Sequence, residues 1–206
     1  MTREELISDI AYARALAEEG RQAPLLGGSY LTFWGILNAI AYIAHWAALT
    51  ERLPVLNGLT FALIWAVYGM AAGIGMFALH QRVREKPGCS TIGVRAERAI
   101  WSGATVAIFV IVAGSLARMI ITNDSTAPNA IFGAAFAIFG AAMFAVATLS
   151  LQVWMRRFAW LSASIALALC LFANENWAYL YAAIGSLLAL AWPGILLLKR
   201  EPSAIV

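Results

Sequence analysis

The sequence predicts an all-α integral membrane protein: six transmembrane helices arranged as three antiparallel hairpins, with a short amphipathic helix at the amino end. Three observations carry this. Of the 206 residues, 62% are hydrophobic and 12% charged, whereas soluble domains run near about 45–50% apolar and about 25% charged. Mean hydropathy is +0.78. Apolar runs of about 20 residues, enough to cross a bilayer core about 30 Å thick, recur along the chain. Such a composition excludes both a water-soluble globule and a disordered chain.

The chain divides into residues 1–28, a cytoplasmic amphipathic helix and linker, and residues 29–206, the membrane bundle. At the amino end Thr2 and Glu5 form a capping box. Leu6, Ile10, Ala13 and Ala17 then recur at helical spacing. Gly20 stops the helix, and an Ala-Pro-Leu-Leu-Gly-Gly linker follows. A basic start, apolar core and cleavage site are missing, so this is not read as a signal peptide. Glu4, Glu5, Asp9, Glu18 and Glu19 line the polar face and would repel anionic lipid. The apolar stripe is therefore expected to contact protein, either this bundle or a partner.

The six spans are expected at about 30–49, 59–79, 100–121, 131–153, 158–173 and 177–198. They must be helices, because an open strand leaves backbone groups unpaired in lipid, and barrel-like alternation is absent. The fifth run is short. Yet the stretch from Phe158 to Leu198 is broken only by Asn174, Glu175 and Asn176, so two spans joined by a tight turn fit better than one. Pro193 should kink the sixth.

Basic residues set the orientation. Twelve of the fourteen Lys and Arg residues lie in the amino segment, the 2–3 loop, the 4–5 loop or the carboxyl tail. Basic loops stay in the cytoplasm. Both termini are therefore expected inside, with the chain in the inner (cytoplasmic) membrane of a bacterium. Trp34, Trp101, Trp154, Trp160 and Trp192 fall near the inner boundary, and Trp46 and Trp177 near the outer one, where amphipathic rings favour the headgroup level. Cys89 and Cys170 fall toward opposite sides, which excludes a disulfide between them.

Small residues predict close helix contacts. They include Gly69 and Gly73 in the second span, Gly103 in the third, and Gly133 and Gly140 in the fourth. Packing within the bundle is the expectation, with a homodimer as the other use of these faces. Three-hairpin carriers of mitochondria share the layout, but their proline and paired-charge signature on the odd spans is missing here.

Intramembrane polar groups are the natural functional candidates. Asn38, Tyr42 and His45 share one face of the first span. Arg118 is the one charge within a predicted span, near its outer end. Asp124 and Glu175 lie at the same level and offer it a partner. With His45, Trp46 and Trp177 these residues are the candidate lining of an outward-facing site for a lipid-like or small amphiphilic ligand. The competing expectation is polar packing: Asn38 as interhelical glue and Arg118 in a salt bridge. His45 and His80 fall at opposite membrane faces, so no shared metal or haem is expected, and no cofactor.

No nucleophile–base pair, phosphate loop or metalloprotease motif occurs, and no soluble basic domain is present to bind nucleic acid. The sequence therefore favours a non-enzymatic accessory, regulatory or assembly subunit. It would act on a membrane-protein partner through helix faces and the amino-terminal helix. A small transporter or ligand-binding protein is the alternative. Near absence of intramembrane charge counts against ion or proton relay.

Overall fold

A lipid core tolerates helices because each satisfies its own backbone, and among the described residues the chain consists of helices and turns. The computed structural model describes residues 7, 9–12, 25–53, 58–86, 88–89 and 91–201. The helices are α1 (Gly28–Leu49), α2 (Leu59–Arg84), α3 (Ile92–Thr122), α4 (Ala130–Leu149), α5 (Met155–Leu171), α6 (Ala178–Ser186) and α7 (Trp192–Leu198). A 3₁₀ turn, Ala127–Asn129, leads into α4, and a π turn, Leu187–Ala191, joins α6 to α7. Among the described residues, five stretches are long and apolar enough to cross a membrane: α1, α2, α3, Ala127–Leu149 and Ala178–Leu198. At 17 residues α5 is the shorter helix.

The ends follow local chemistry. Thr91 caps α3 by accepting the Val94 amide at 3.4 Å, and Asn123 ends it in the left-handed region at φ 55°. Asparagine tolerates that conformation better than most residues. Pro193 lacks an amide hydrogen, and its ring would crowd the carbonyl four residues back. The π turn immediately before it opens the helix there and absorbs the conflict.

α3 has 31 residues, about 46 Å at helical rise. That exceeds a core about 30 Å thick. Its first two turns, residues 92–99, therefore stand outside the apolar segment, on the side that carries the basic loops.

Packing divides the helices into inner and outer sets. α1 lies along α6, the π turn and α7, while α4 lies along α5. Between these pairs sits a core of Tyr42, Phe132, Phe136, Ile165, Leu169 and Tyr179, with alanines filling the gaps. α2 rests mainly on α1, and α3 on α4. Hardly any of the apolar stretches of α2 and α3 is buried. Neighbours in sequence pair in α1–α2 and α3–α4, but α5 packs chiefly on α4, and α6 with α7 on α1. The arms of the expected third hairpin thus touch each other, but each packs mainly on another neighbour.

Glycines explain these preferred neighbours. A Cβ on Gly35 would overlap the Ala191 backbone, and one on Gly194 would meet the Thr32 amide and the Gly28 carbonyl. Backbone therefore meets backbone where α1 crosses α7. Gly133 sits against Cys170 and Gly140 against the Ala159 carbonyl, so α4 and α5 approach equally closely. Gly69, Gly73 and Gly103 have open space where a side chain would project. Internal packing, the sequence expectation for all five glycines of this set, holds Gly133 and Gly140 but not these three, because α2 and α3 turn those faces outward.

Of the amino-terminal stripe, Ile10 is helical and exposed, as are Ile7 and Tyr12. Leu6, Ala13 and Ala17 lie outside the described residues.

Candidate functional site

The polar residues of α1 are positioned by its packing against α2 and α6. Asn38 is 5% exposed. An amide buried at that depth needs a partner, and the Tyr68 hydroxyl of α2 donates to its Oδ1 at 2.7 Å. Two turns later His45 sits among rings. Its imidazole stacks on Tyr179 with centroids 4.2 Å apart and planes 8° from parallel, and Phe61 and Trp65 flank it. The Trp65 indole N–H donates to His45 Nδ1 at 3.0 Å. Indole nitrogen can only donate, so Nδ1 is the unprotonated nitrogen of a neutral ring and Nε2 carries the hydrogen.

The network continues toward the end of the bundle where α3 joins α4. The Tyr179 hydroxyl donates to Asn129 Oδ1 at 2.9 Å, and Asn129 Nδ2 donates to Asn174 Oδ1 at 3.1 Å. Tyr42 is buried beside it, edge-on to both Trp65 and Phe132. α1, α2, α6 and the two loops at this end are thereby tied through one aromatic and amide cluster. Sequence reasoning picked Asn38, Tyr42 and His45 from the α1 side. Their partners Tyr68, Trp65 and Tyr179 escaped it because aromatic residues are common throughout these spans.

The remaining candidates are placed elsewhere. Arg118 pairs with Asp124 at 3.4 Å, both on the outer surface of the α3 end. Thr126 donates to Asp124 through its hydroxyl at 2.6 Å and its amide at 3.0 Å. Those bonds, with a smaller contribution from Arg118, hold the Asp124 carboxyl below the usual range. Glu175 is exposed. Trp177 packs its ring on Phe172 and Tyr181, and Trp46 lies under the Arg52 guanidinium at 4.4 Å. Among the described residues no hydrogen bond, ion pair or ring contact joins Arg118, Asp124 or Glu175 to His45. The expected polar lining is therefore two separate features: an internal aromatic cluster around His45 and a surface ion pair at Arg118.

Hydroxyl groups are turned inward on the helices. Thr32, Thr50, Thr105, Thr122, Thr148 and Ser186 each donate to the carbonyl four residues earlier. Ser162 is fully buried and crosses to α4 instead, donating to the Phe136 carbonyl at 2.8 Å. A groove of about 490 Å³ opens between α1 and α2, lined by Leu37, Ile40, Leu63, Val67 and neighbours with very little polar surface. No group of three or more His, Cys, Asp or Glu residues suited to a metal ion occurs among the described residues.

At the opposite end of the bundle lies a cluster that sequence reasoning missed. Glu97 in the first turns of α3 is 5% exposed, and its Oε2 accepts the Leu26 amide at 3.1 Å. Glu201 in the carboxyl tail accepts the Gly28 amide at 3.2 Å and pairs with Lys86 of the α2–α3 loop. The Glu97 signal was a lone acid between Arg95 and Arg98, hidden in a run read only for its basic charge.

The chain matches no family model, no curated protein and no solved structure.

Proposed function

We propose that this chain is a non-enzymatic accessory subunit of the cytoplasmic membrane, binding another membrane protein through the outer faces of α2 and α3. In this reading the chain crosses the bilayer six times, with the basic end and both termini in the cytoplasm. α5 makes the sixth crossing: at about 26 Å it lies along the spanning helix α4.

One observation carries the reading. α2 and α3 each rest chiefly on a single neighbour, and their outward faces hold Gly69, Gly73 and Gly103 with open space beyond. Small residues let a partner helix approach closely where hydrophobic drive is missing. The polar core of Asn38, His45 and Ser162 is engaged within the chain, which suits a scaffold better than a solute path. Exposed Ile7, Ile10 and Tyr12 add a contact surface in the cytoplasm.

Gentle purification of the intact chain from native membranes, followed by protein mass spectrometry, tests this. A stoichiometric partner should copurify, and the double variant Gly69→Leu, Gly73→Leu should lose it while keeping a wild-type melting profile. A chain that purifies alone, or a partner retained by the double variant, refutes the reading.

A second reading has its own support in the apolar groove between α1 and α2, whose size suits a lipid-like ligand. A small molecule copurifying with wild type and lost from Leu63→Trp would favour it.

A further inference from the structure

The basic end of the bundle is held together by two carboxylates with different surroundings. Glu201 has a cation: its Oε2 binds Lys86, while its Oε1 accepts the Gly28 amide. Glu97 has none in contact. Its Oε2 accepts from Leu26, and its Oε1 is buried beside the Gly27 backbone without a well-formed hydrogen bond. That oxygen lies against Gly27, where a Cβ would overlap it. Leu26, Val83 and Val94 close an apolar wall nearby, with Tyr30 and Cys89 packed beside them. The linker residues Leu25–Gly28 are seated on these groups, and residues 1–24 depend from that linker.

A buried carboxylate oxygen without a well-formed hydrogen bond is costly as an anion and far less so as a neutral acid. The charged and titratable groups facing Glu97 reinforce this. Glu201 repels its charge, and Arg98, next along α3, attracts it. Lys86 is committed to Glu201. Burial raises the Tyr30 hydroxyl above its ordinary range, which keeps it uncharged.

We propose that Glu97 is the proton-held latch of this end: neutral, it keeps the linker seated; ionised, it leaves for water and frees the linker. The proton passes to solvent when the latch opens and is taken back when it closes. Opening removes the acceptor for Leu26 and loosens the attachment of the amino-terminal segment. The inference is independent of any partner at α2 and α3.

Burial pushes the Glu97 carboxyl up to about 7 from an ordinary 4.5, with the Glu201 charge acting the same way. The Leu26 and Gly27 amides and Arg98 offset part of this. The closed state therefore holds the proton more tightly than the open one. Closure is strongest below about pH 4.5, weakens as pH rises toward about 7, and is level above that.

Hydrogen–deuterium exchange of the full chain in lipid nanodiscs, from pH 5 to 8.5 and corrected for intrinsic rates, tests the latch. Protection of a peptide covering residues 25–31 should fall roughly a hundredfold across that range, while peptides from α4 and α5 stay constant. Glu97→Gln, neutral at every pH, should abolish the dependence. Should that variant fail to fold, Glu201→Gln is the second test. It removes the repelling charge and frees Lys86, so the transition should move to lower pH. Constant protection in wild type, an unchanged pH dependence in Glu97→Gln, or an unmoved midpoint in Glu201→Gln overturns the proposal.

Discussion

Gly35→Ala and Gly69→Ala add the same methyl group to a membrane helix and should have opposite effects. At Gly35 the new Cβ would overlap the nitrogen and Cα of Ala191. Those are backbone atoms within the π turn, so no side-chain rotation can relieve the clash. Either α1 and α7 move apart, or the π turn shifts. Overpacking of this kind costs about 1–3 kcal/mol, and a backbone obstacle places Gly35→Ala at the upper end. At Gly69 nothing lies within 4 Å of the added atom. There alanine replaces glycine in a helix interior, a gain of up to about 1 kcal/mol. The two variants should therefore differ by about 3 kcal/mol, roughly 150-fold in the unfolding equilibrium. Reversible unfolding in mixed micelles, followed by tryptophan fluorescence at dilutions that keep the chain monomeric, measures the difference. Equal stabilities for the two variants would refute the assignment of α1–α7 as a backbone-to-backbone contact.

Two smaller effects follow from the polar contacts. A double-mutant cycle on Asn38→Ala and Tyr68→Phe should return a coupling of about 0.6–1.7 kcal/mol, the range for hydrogen bonds between membrane helices, and zero coupling would mean the hydroxyl and amide do not meet. Arg118→Gln should change stability by less than about 0.5 kcal/mol, because its pairing with Asp124 lies in solvent-accessible surface; a loss above about 2 kcal/mol in the same unfolding assay would place Arg118 in a structural network.

The helices long and apolar enough to cross a membrane were legible because bilayer thickness acts directly on sequence: it demands long apolar runs, and α1 to α4 answer to them. The division into inner and outer helices was not legible. In water the buried face of a helix is apolar and the exposed face polar, so periodicity reveals burial. In lipid both faces are apolar, and α2 reads much like α4 although one is bare and the other buried. Glycine spacing misleads for the same reason. The Gly69-x-x-x-Gly73 pair is a recognisable packing pattern but meets nothing among the described residues within 4 Å, whereas Gly35 and Gly194, which belong to no such pair, carry the α1–α7 crossing. Asn38 was legible as glue because a buried amide must find a donor or acceptor. The identity of Tyr68 depended on which helix came to lie beside α1. Glu97 was obscured by averaging: within a loop counted for its basic residues, a single acid looks like partial neutralisation rather than a buried group.

The two ends of the bundle hold together by different physics. At the α3–α4 end, Trp65, His45, Tyr179, Asn129 and Asn174 form a network of neutral rings and amides. Neutral partners carry little desolvation penalty relative to ions, so this network needs no balancing charge. At the other end, Glu97 and Glu201 accept from the linker and from the start of α1. A helix start presents unpaired amides and a positive dipole, which favour a carboxylate. One acid meeting those amides has Lys86 for charge balance; the other has no cation in contact. Fixing α1 at the first end leaves any movement of the linker to be expressed at the second. The network at the first end is thus built from uncharged partners, whereas the second end relies on buried carboxylates beside the linker.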